Sequence, residues 1–358
     1  MKTAYLILET GEVFPGQLVG ENTSIHGEIV FNTSMTGYQE IMTDPSYAGQ
    51  IVVFSYPLIG NYGINLENNE SSSVHVSAII TSEICSEPSH FKLTETAIET
   101  VNKYNIPCLT NVDTRSLVQT IRKRGTVNAM ITEQQEVQIA FSKELSLVDR
   151  VACQEVITYE NPGPHIVLLD FGYKKSILLF LCKSNCKVSI VPYFYSFEQI
   201  SALSPDGIII SNGPGDPMEL ADEFIKIRLL TESYPTIGIC LGHQLIALSY
   251  GSQTKKLPFG HRGSNHPVKD LKTGKVFITS QNHGYVVVDD SIDESQFFVS
   301  FKHVNDGTIE GLKHRKLPIL TVQFHPEAHP GPQDTEFIFY EFFKQVNNHL
   351  GVMKNAIV

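Results

Sequence analysis

The sequence has few basic residues for its length. Its 358 residues include 27 Lys and Arg against 38 Asp and Glu, which gives a formal net charge of −11. A protein that binds nucleic acid regardless of sequence needs a basic surface, and so does one that docks on an anionic membrane. The composition therefore argues against nucleic acid and membrane as partners, and it is typical of an acidic enzyme.

Long apolar runs, closely paired cysteines and a phosphate-binding loop are also missing. No run approaches the ~20 apolar residues that span a bilayer, and Glu9 and Glu12 break the N-terminal run, which favours a strand over a signal peptide. None of the six cysteines forms a C-x-x-C pair, and no G-x-x-x-x-G-K-[ST] pattern occurs. We therefore expect a cytoplasmic protein with free thiols and with no metal or cofactor of its own.

The chain is long and apolar enough for two domains. Hydrophobic residues make up 42% and charged residues 18%, and roughly 100–200 residues form one domain. The turn-rich segment 158–164 precedes a sharp change of pattern. We therefore predict an N-terminal domain over residues 1–160 and a second domain over 165–350.

The second domain has a β-α-β-α rhythm. Apolar runs at His165–Asp170, Lys187–Val191, Gly207–Ser211 and Thr236–Ile239 alternate with helical patterns. Near-continuous apolar strands are typical of a parallel sheet covered on both faces. We predict an α/β fold with a doubly wound, mostly parallel sheet.

The N-terminal part has short strands followed by helical patterns, which is typical of an α+β domain. The predicted strands are Ala4–Leu8, Glu28–Asn32, Ile51–Phe54 and Val74–Ile80, and the predicted helices are Thr94–Tyr104 and Thr114–Lys123.

Cys240 lies in a G-x-C-x-G sequence between a predicted strand and a predicted helix. This pattern is the thiol counterpart of the nucleophile elbow. Glycines at 238 and 242 suit a crowded turn, the helix N-terminus favours thiolate, and the Leu241 N–H can face an oxyanion. A buried cysteine at an ordinary strand end is the other interpretation of the pentapeptide alone.

His325 and Glu327 follow a second apolar strand. A cysteine nucleophile needs a base, and the base needs a third group to fix its tautomer. In extended backbone the two side chains lie on one face, so the carboxylate can hold the imidazole. Alone, the pair is better interpreted as a surface histidine beside a solvated glutamate; together with Cys240, it predicts a catalytic triad.

Two polar segments complete the set. Residues 212–217 (NGPGDP) follow the predicted strand 207–211, and their glycines let the backbone approach a ligand, although a plain turn has the same composition. Residues 281–285 (QNHGY) are predicted to form a polar loop between strands, and a hairpin turn would explain them equally well.

Together, these motifs resemble the class I glutamine amidotransferases, with NGPGDP, GICLGHQL, QNHGY and FHPE in that family's order. Residues 27–40 (GEIVFNTSMTGYQE) and 43–51 (TDPSYAGQI) resemble the small subunit of carbamoyl-phosphate synthase. The resemblance covers nearly the whole chain. It implies a flavodoxin-like amidotransferase domain preceded by a domain that docks a partner and completes the glutamine site.

The resemblance also implies residue roles. Cys240 would attack the side-chain amide of L-glutamine, His325 would serve as base and acid, and Glu327 would orient His325. Oxyanion N–H groups would come from Gly215 and Leu241. The positions that would hold glutamine are Ser46, Gly213, Gln244, Asn282, Gly284 and Tyr285.

The family passes ammonia to a large subunit, which binds ATP, Mg²⁺ and bicarbonate and makes carbamoyl phosphate for arginine or pyrimidine synthesis. Two other functions fit parts of the sequence. A free-standing γ-glutamyl cysteine hydrolase would not need the N-terminal motifs, and a non-catalytic scaffold would not need an intact triad.

Overall fold

The computed structural model describes residues 2–20, 25–134 and 146–356, with the backbone alone for 352–356. The chain forms two compact units. The first comprises Met1–Leu145 and Leu257–Gly263, and the second comprises Ser146–Lys256 and Ser264–Val358. The predicted limits of the functional domains, 1–160 and 165–350, stay a prediction.

The first unit is built on a closed barrel. Its strands and helices are β1 (Lys2–Leu8), β2 (Val13–Val19), β3 (Ile25–Asn32), α1 (Tyr38–Thr43), β4 (Gln50–Phe54), β5 (Leu58–Ile59), β6 (Ala78–Ile80), β7 (Glu83–Ile84), α2 (Ala97–Lys103), β8 (Cys108–Thr110), α3 (Thr114–Arg124) and β9 (Val127–Thr132). The barrel order is β1-β2-β8-β6-β4-β3-β9, and β1 pairs with β9 to close it. The predicted mixture of strands and helices is present, but the sequence predicted only some of the strands and did not predict that the sheet closes into a barrel.

Strand β4 of the barrel is buried on both faces. In β4, Ile51 and Val53 join one apolar cluster, which includes residues of α3, while Val52 and Phe54 join another, which includes residues of α1 and α2. Alternation of this kind follows from the two-residue period of a strand. Helix α3 therefore packs in the cluster on one face of β4, and helices α1 and α2 pack in the cluster on the other.

The second unit contains a ten-stranded sheet flanked by helices. Its elements are α4 (Leu147–Val151), β10 (Ile157–Tyr159), β11 (His165–Asp170), α5 (Lys175–Lys183), β12 (Lys187–Pro192), α6 (Phe197–Ser201), β13 (Gly207–Ile210), α7 (Phe224–Ser233), β14 (Thr236–Ile239), α8 (Leu241–Ser249), β15 (Thr254–Asp270), β16 (Val276–Val287), β17 (Phe297–His303), β18 (Ile309–His314), β19 (Ile319–Val322) and α9 (Phe337–Ala356).

Five strands of this sheet are parallel neighbours, in the order β12-β11-β13-β14-β19. In order of sequence this is 2-1-3-4-5, the order of flavodoxin-like doubly wound sheets. Antiparallel strands flank them, with β10 on one side and β18 and β17 on the other. The mixed α/β content is confirmed, whereas "mostly parallel" describes only half of the sheet.

Helices cover both faces of the parallel strands. Ile166 and Leu168 of β11 pack in the apolar cluster that holds residues of α5 and α9, while Val167 and Leu169 pack in the cluster that holds residues of α7 and α8. This arrangement places the carboxyl ends of β11, β13, β14 and β19 at one edge, where open α/β sheets bind ligands. Within the described residues, no helix has the length and apolar character that crossing a membrane requires.

Candidate active site

Cys240 is the single residue between β14 and α8, and it is 2% exposed. Its φ of 53° and ψ of −103° lie outside the regions that non-glycine residues normally adopt. Two backbone hydrogen bonds hold it there: Cys240 N–H donates to the Val322 carbonyl at 2.8 Å, and Gln244 N–H donates to the Cys240 carbonyl at 3.2 Å. A strained backbone of this kind, fixed by its surroundings, is common at active sites.

The glycines beside Cys240 are required by close packing. A Cβ on Gly242 would lie 2.1 Å from the carbonyl oxygen of Ile210 on β13, and a Cβ on Gly238 would lie 2.7 Å from the carbonyl oxygen of Gly242. The elbow therefore packs helix α8 against the sheet backbone more closely than any other residue type allows, as the sequence predicted.

His325 and Glu327 pair directly. His325 Nδ1 lies 2.6 Å from Glu327 Oε1, and both side chains are almost fully buried. The predicted pairing is present but the predicted extended backbone is wrong, because the His325 carbonyl accepts a hydrogen bond from Ala328 N–H in a turn. The His325 N–H donates to the Ser280 carbonyl of β16 at 2.9 Å, which fixes the turn against a neighbouring strand.

Lys174 is a third charged residue in this cluster, and the sequence analysis missed it. Its ammonium lies 3.2 Å from Glu327 Oε1 and donates to the Ala328 carbonyl. The side chain is 3% exposed and that of Glu327 is 1% exposed. Lys174 follows the carboxyl end of β11, so its place beside a ligand-binding edge was the signal that could have identified it.

These charges change the protonation of the triad. Burial acts to lower the pKa of the His325 imidazole, but the Glu327 carboxylate and the Cys240 side chain raise it to about 10. Burial acts to raise the pKa of the Glu327 carboxyl, but Lys174 and His325 lower it to about 2. Near neutral pH, Lys174, Glu327 and His325 therefore form a row of three charged groups: an ammonium, a carboxylate and an imidazolium. The imidazolium of this row lies next to Cys240.

The Cys240 sulfur also contacts two polar groups. The Asn282 carbonyl lies 3.6 Å from Sγ, and the amide nitrogen of Gln323 donates to Sγ at 3.6 Å. Gln323 in turn accepts from the Gln244 amide at 3.0 Å. Sequence analysis missed Gln323, which directly follows β19 and precedes FHPE.

Most of the predicted glutamine-binding residues lie around these groups in the second unit. Segment 281–285 belongs to strand β16 and is not a loop, so that prediction was wrong. The Tyr285 hydroxyl donates to Asp216 at 3.1 Å, which joins β16 to the NGPGDP segment. In that segment, a Cβ on Gly213 would lie 2.2 Å from the Phe171 carbonyl, and Gly215 has a φ of 92°.

Gln244, Asn282 and Tyr285 are connected to Cys240 by hydrogen bonds. The Gln244 amide donates to the Tyr285 carbonyl at 2.8 Å, and Asn282 contacts the sulfur through its own carbonyl. Leu241 is the first residue of α8, and Gly284 lies between Asn282 and Tyr285 in β16.

Ser46 lies in the first unit, in a short 3₁₀ helix formed by Pro45–Tyr47. Its backbone N–H donates to the Asp44 carboxylate at 2.9 Å, and its side chain is buried. Its predicted contribution to the glutamine site stays a prediction.

Two family models match this chain. Residues 6–131 match the carbamoyl-phosphate synthase small chain, CPSase domain, and residues 167–345 match the glutamine amidotransferase class-I family. The arginine-specific small chain of carbamoyl phosphate synthase from Bacillus subtilis is 52% identical, with 96% of both chains covered. The arginine-specific small chain from Halalkalibacterium halodurans is 49% identical over 96% of this chain and 97% of that protein.

The chain belongs to the carbamoyl-phosphate synthase small-chain family. A third relative, the carbamoyl phosphate synthase small chain of Caldanaerobacter subterraneus subsp. tengcongensis, is 45% identical over 94% of this chain and 95% of that protein. Cys240, His325 and Glu327 lie within the residues that match the amidotransferase family, whereas Ser46 lies within the residues that match the small-chain domain.

Proposed function

We propose that this chain is the glutaminase subunit of a glutamine-hydrolysing carbamoyl-phosphate synthase, with Cys240, His325 and Glu327 as its catalytic residues. The buried Cys240–His325–Glu327 triad carries the proposal, because a strained cysteine beside an imidazolium is equipped to attack an amide carbon. Membership of the small-chain family supports the subunit role.

The first half-reaction releases ammonia. The Cys240 thiolate adds to the side-chain amide carbon of glutamine, which forms a C–S bond and a tetrahedral oxyanion. We assign the Gly215 and Leu241 N–H groups to this oxyanion. When the intermediate collapses, the C–N bond breaks, the His325 proton moves to the departing nitrogen, and a γ-glutamyl thioester remains.

The second half-reaction restores the enzyme. Neutral His325 takes a proton from water as the oxygen attacks the thioester carbon, and the C–S bond then breaks. Glutamate and the Cys240 thiolate are the products, and His325 again carries its proton. Glu327 keeps the imidazole in one orientation through both steps, while Lys174 stabilises the ionised carboxylate.

For substrate binding we propose the predicted set, namely Ser46, Gly213, Gln244, Asn282, Gly284 and Tyr285. Both amide N–H groups of Gln244 already donate, to Tyr285 and Gln323. Gln244 therefore offers its carbonyl oxygen to the substrate, which suits the α-ammonium group of glutamine.

The proposed partner is the large subunit of the synthase. Free ammonia becomes protonated near neutral pH and loses its nucleophilicity, so it must pass directly to the site that consumes it. ATP, Mg²⁺ and bicarbonate are assigned to the large subunit. Because two relatives are named arginine-specific, we also propose that the carbamoyl phosphate serves arginine synthesis.

The test is the rate of glutamate formation by the purified chain, alone and with the cognate large subunit, ATP, Mg²⁺ and bicarbonate. We expect a slow rate alone, a faster rate in the complex, and nearly one carbamoyl phosphate per glutamate. Cys240→Ser should abolish glutamate formation while the complex still uses added ammonium. A fast rate that the large subunit does not change would identify a free-standing hydrolase. No glutaminase activity, either alone or in the complex, would identify a scaffold.

A further inference from the structure

The hydrogen-bond donors around Gln281 in β16 can be assigned one by one. The Thr279 hydroxyl donates its single hydrogen to the His266 carbonyl at 2.9 Å, so towards Gln281 it can only accept. Because the Gln281 amide lies 3.2 Å from that hydroxyl, the group facing it must be the NH₂. This contact fixes which way the Gln281 amide points.

The same orientation determines the protonation of His283. The Gln281 NH₂ also donates to Glu310 Oε2 at 2.9 Å, and its carbonyl oxygen lies 2.9 Å from His283 Nε2. His283 Nδ1 lies 2.9 Å from the Tyr285 carbonyl. Both neighbours of the ring are acceptors, so both ring nitrogens must carry hydrogen, and only an imidazolium does.

A buried imidazolium needs a compensating charge. His283 is 5% exposed, and Glu310, in β18 of the same sheet, is 0% exposed. The Gln281 amide connects them, since its NH₂ binds the carboxylate and its oxygen binds the ring. Gln281 thus bridges Glu310 and His283 by hydrogen bonds, with its amide dipole oriented to stabilise a positive ring, and we call this Glu310–Gln281–His283 chain the relay.

This relay ends at the backbone of β16, the strand that contacts the Cys240 sulfur. The Tyr285 carbonyl receives hydrogen bonds from His283 and from Gln244 of α8. Three residues earlier in the same strand, the Asn282 carbonyl contacts the Cys240 sulfur at 3.6 Å. A shift of His283 would therefore move the segment of β16 that faces the sulfur.

We propose that Glu310 is a positioning residue of the glutamine site, which acts through Gln281 and a permanently protonated His283 to hold residues 282–285 of β16. The part concerning glutamine rests on the proposed function. Other titratable groups of the second unit near this network include Asp216, bonded to the Tyr285 hydroxyl, Lys256, whose ammonium lies 5.9 Å from the centre of the Tyr285 ring, His303, bonded to the His266 ring, and Cys240.

The protonation is tested by NMR on the full chain with ¹⁵N-labelled histidine rings. The His283 signals are those absent from His283→Gln. An ordinary imidazole titrates near about 6.5, so at pH 8 it is neutral. We expect His283 to show two protonated nitrogens at pH 8 in the native chain and one in Glu310→Gln, whereas the exposed control Glu294→Gln leaves it unchanged.

Kinetics test the positioning role. We expect Glu310→Gln to raise the glutamine KM about tenfold at pH 8 with a smaller change in kcat, and to approach the native KM at pH 6, where the His283 ring regains its proton. Taking the ratio of variant to native at each pH cancels the titration of His325. If Glu310→Gln does not fold, Gln281→Met interrupts the same relay and is measured in its place.

A neutral His283 in the native chain at pH 8 would overturn the proposal. A ring that stays doubly protonated in Glu310→Gln, or a KM ratio that does not vary with pH, would overturn the role of Glu310. The NMR measurement uses no glutamine, so failure of the glutaminase assignment would be recognised separately, as a native chain with the expected His283 signals and no glutamate formation.

Discussion

Replacing Glu327 by Gln removes one charge from the Lys174–Glu327–His325 row without changing the side-chain volume. The rise of the His325 pKa from about 6.5 to about 10 corresponds to about 5 kcal/mol of preference for the charged ring. Glu327 supplies much of this, and burial opposes it. In Glu327→Gln only Cys240 is left to oppose the burial of the ring, so the pKa of His325 should fall, which favours the neutral imidazole.

We expect kcat/KM for glutamine hydrolysis to fall by about 10²- to 10⁴-fold, the range that a positioned acid or base contributes. If the alkaline limb of the pH–rate profile reflects loss of the His325 proton, as we expect from the raised pKa of this ring, it should move to lower pH in the variant. The assay is glutamate formation from pH 5.5 to 10.5 in the complex with the large subunit.

Loss of stability could produce the same fall in rate, and Lys174 provides the control. Glu327→Gln leaves the buried Lys174 ammonium without its carboxylate, which should cost about 3–5 kcal/mol of unfolding free energy. The double variant Lys174→Met/Glu327→Gln removes both charges, so its stability should recover while its activity stays low. A double variant that regains native activity, or a Glu327→Gln enzyme with the native rate and pH profile, would refute the assigned role of Glu327.

Three further outcomes follow from the packing and the charges. Gly242→Ala places a Cβ 2.1 Å from the Ile210 carbonyl and should lower the thermal midpoint by well over 5 °C or prevent folding, whereas Gly351→Ala, in open space within helix α9, should raise it slightly. Lys174→Met alone should raise the pKa of Glu327 and reduce kcat at least tenfold, measured at matched fractions of folded enzyme. Because the pKa of His325 is raised, its ionised form stabilises the native state fully below about pH 6.5. The stability difference between native enzyme and His325→Gln in urea should therefore shrink as pH rises towards 10, and a difference that grows would contradict the sign.

The local sequence predicted the parallel strands well because each is a short, mostly apolar run. Strand β2 was missed for the opposite reason, since Pro15 and Gly16 lie in its middle and resemble a turn. In the structure Gly16 is needed there, because a Cβ would lie within 2.8 Å of Leu109 and Thr110 on β8. Closure of the barrel joins β1 to β9 across more than a hundred residues, and no local pattern encodes such a pairing.

The candidate site was predictable to the extent that its residues carry recognisable spacing. Cys240 lies between glycines that its turn requires, and His325 and Glu327 are two residues apart. Lys174 and Gln323 have no such relation to Cys240 in the sequence, because only the order of strands brings them to the row. Glu310 could not be recognised from the sequence for the same reason, because its partner Gln281 lies 29 residues away on another strand.

The buried row of charges is better explained by catalysis than by stability. Replacing buried ion pairs by apolar side chains is often neutral or stabilising, so a fold has little to gain from burying Lys174, Glu327 and His325 together. Their charges sum to one positive unit, and the row ends beside the Cys240 sulfur. The proposed reaction needs a group that gives a proton to the departing nitrogen, so the electrostatics that hold the proton on His325 serve that reaction.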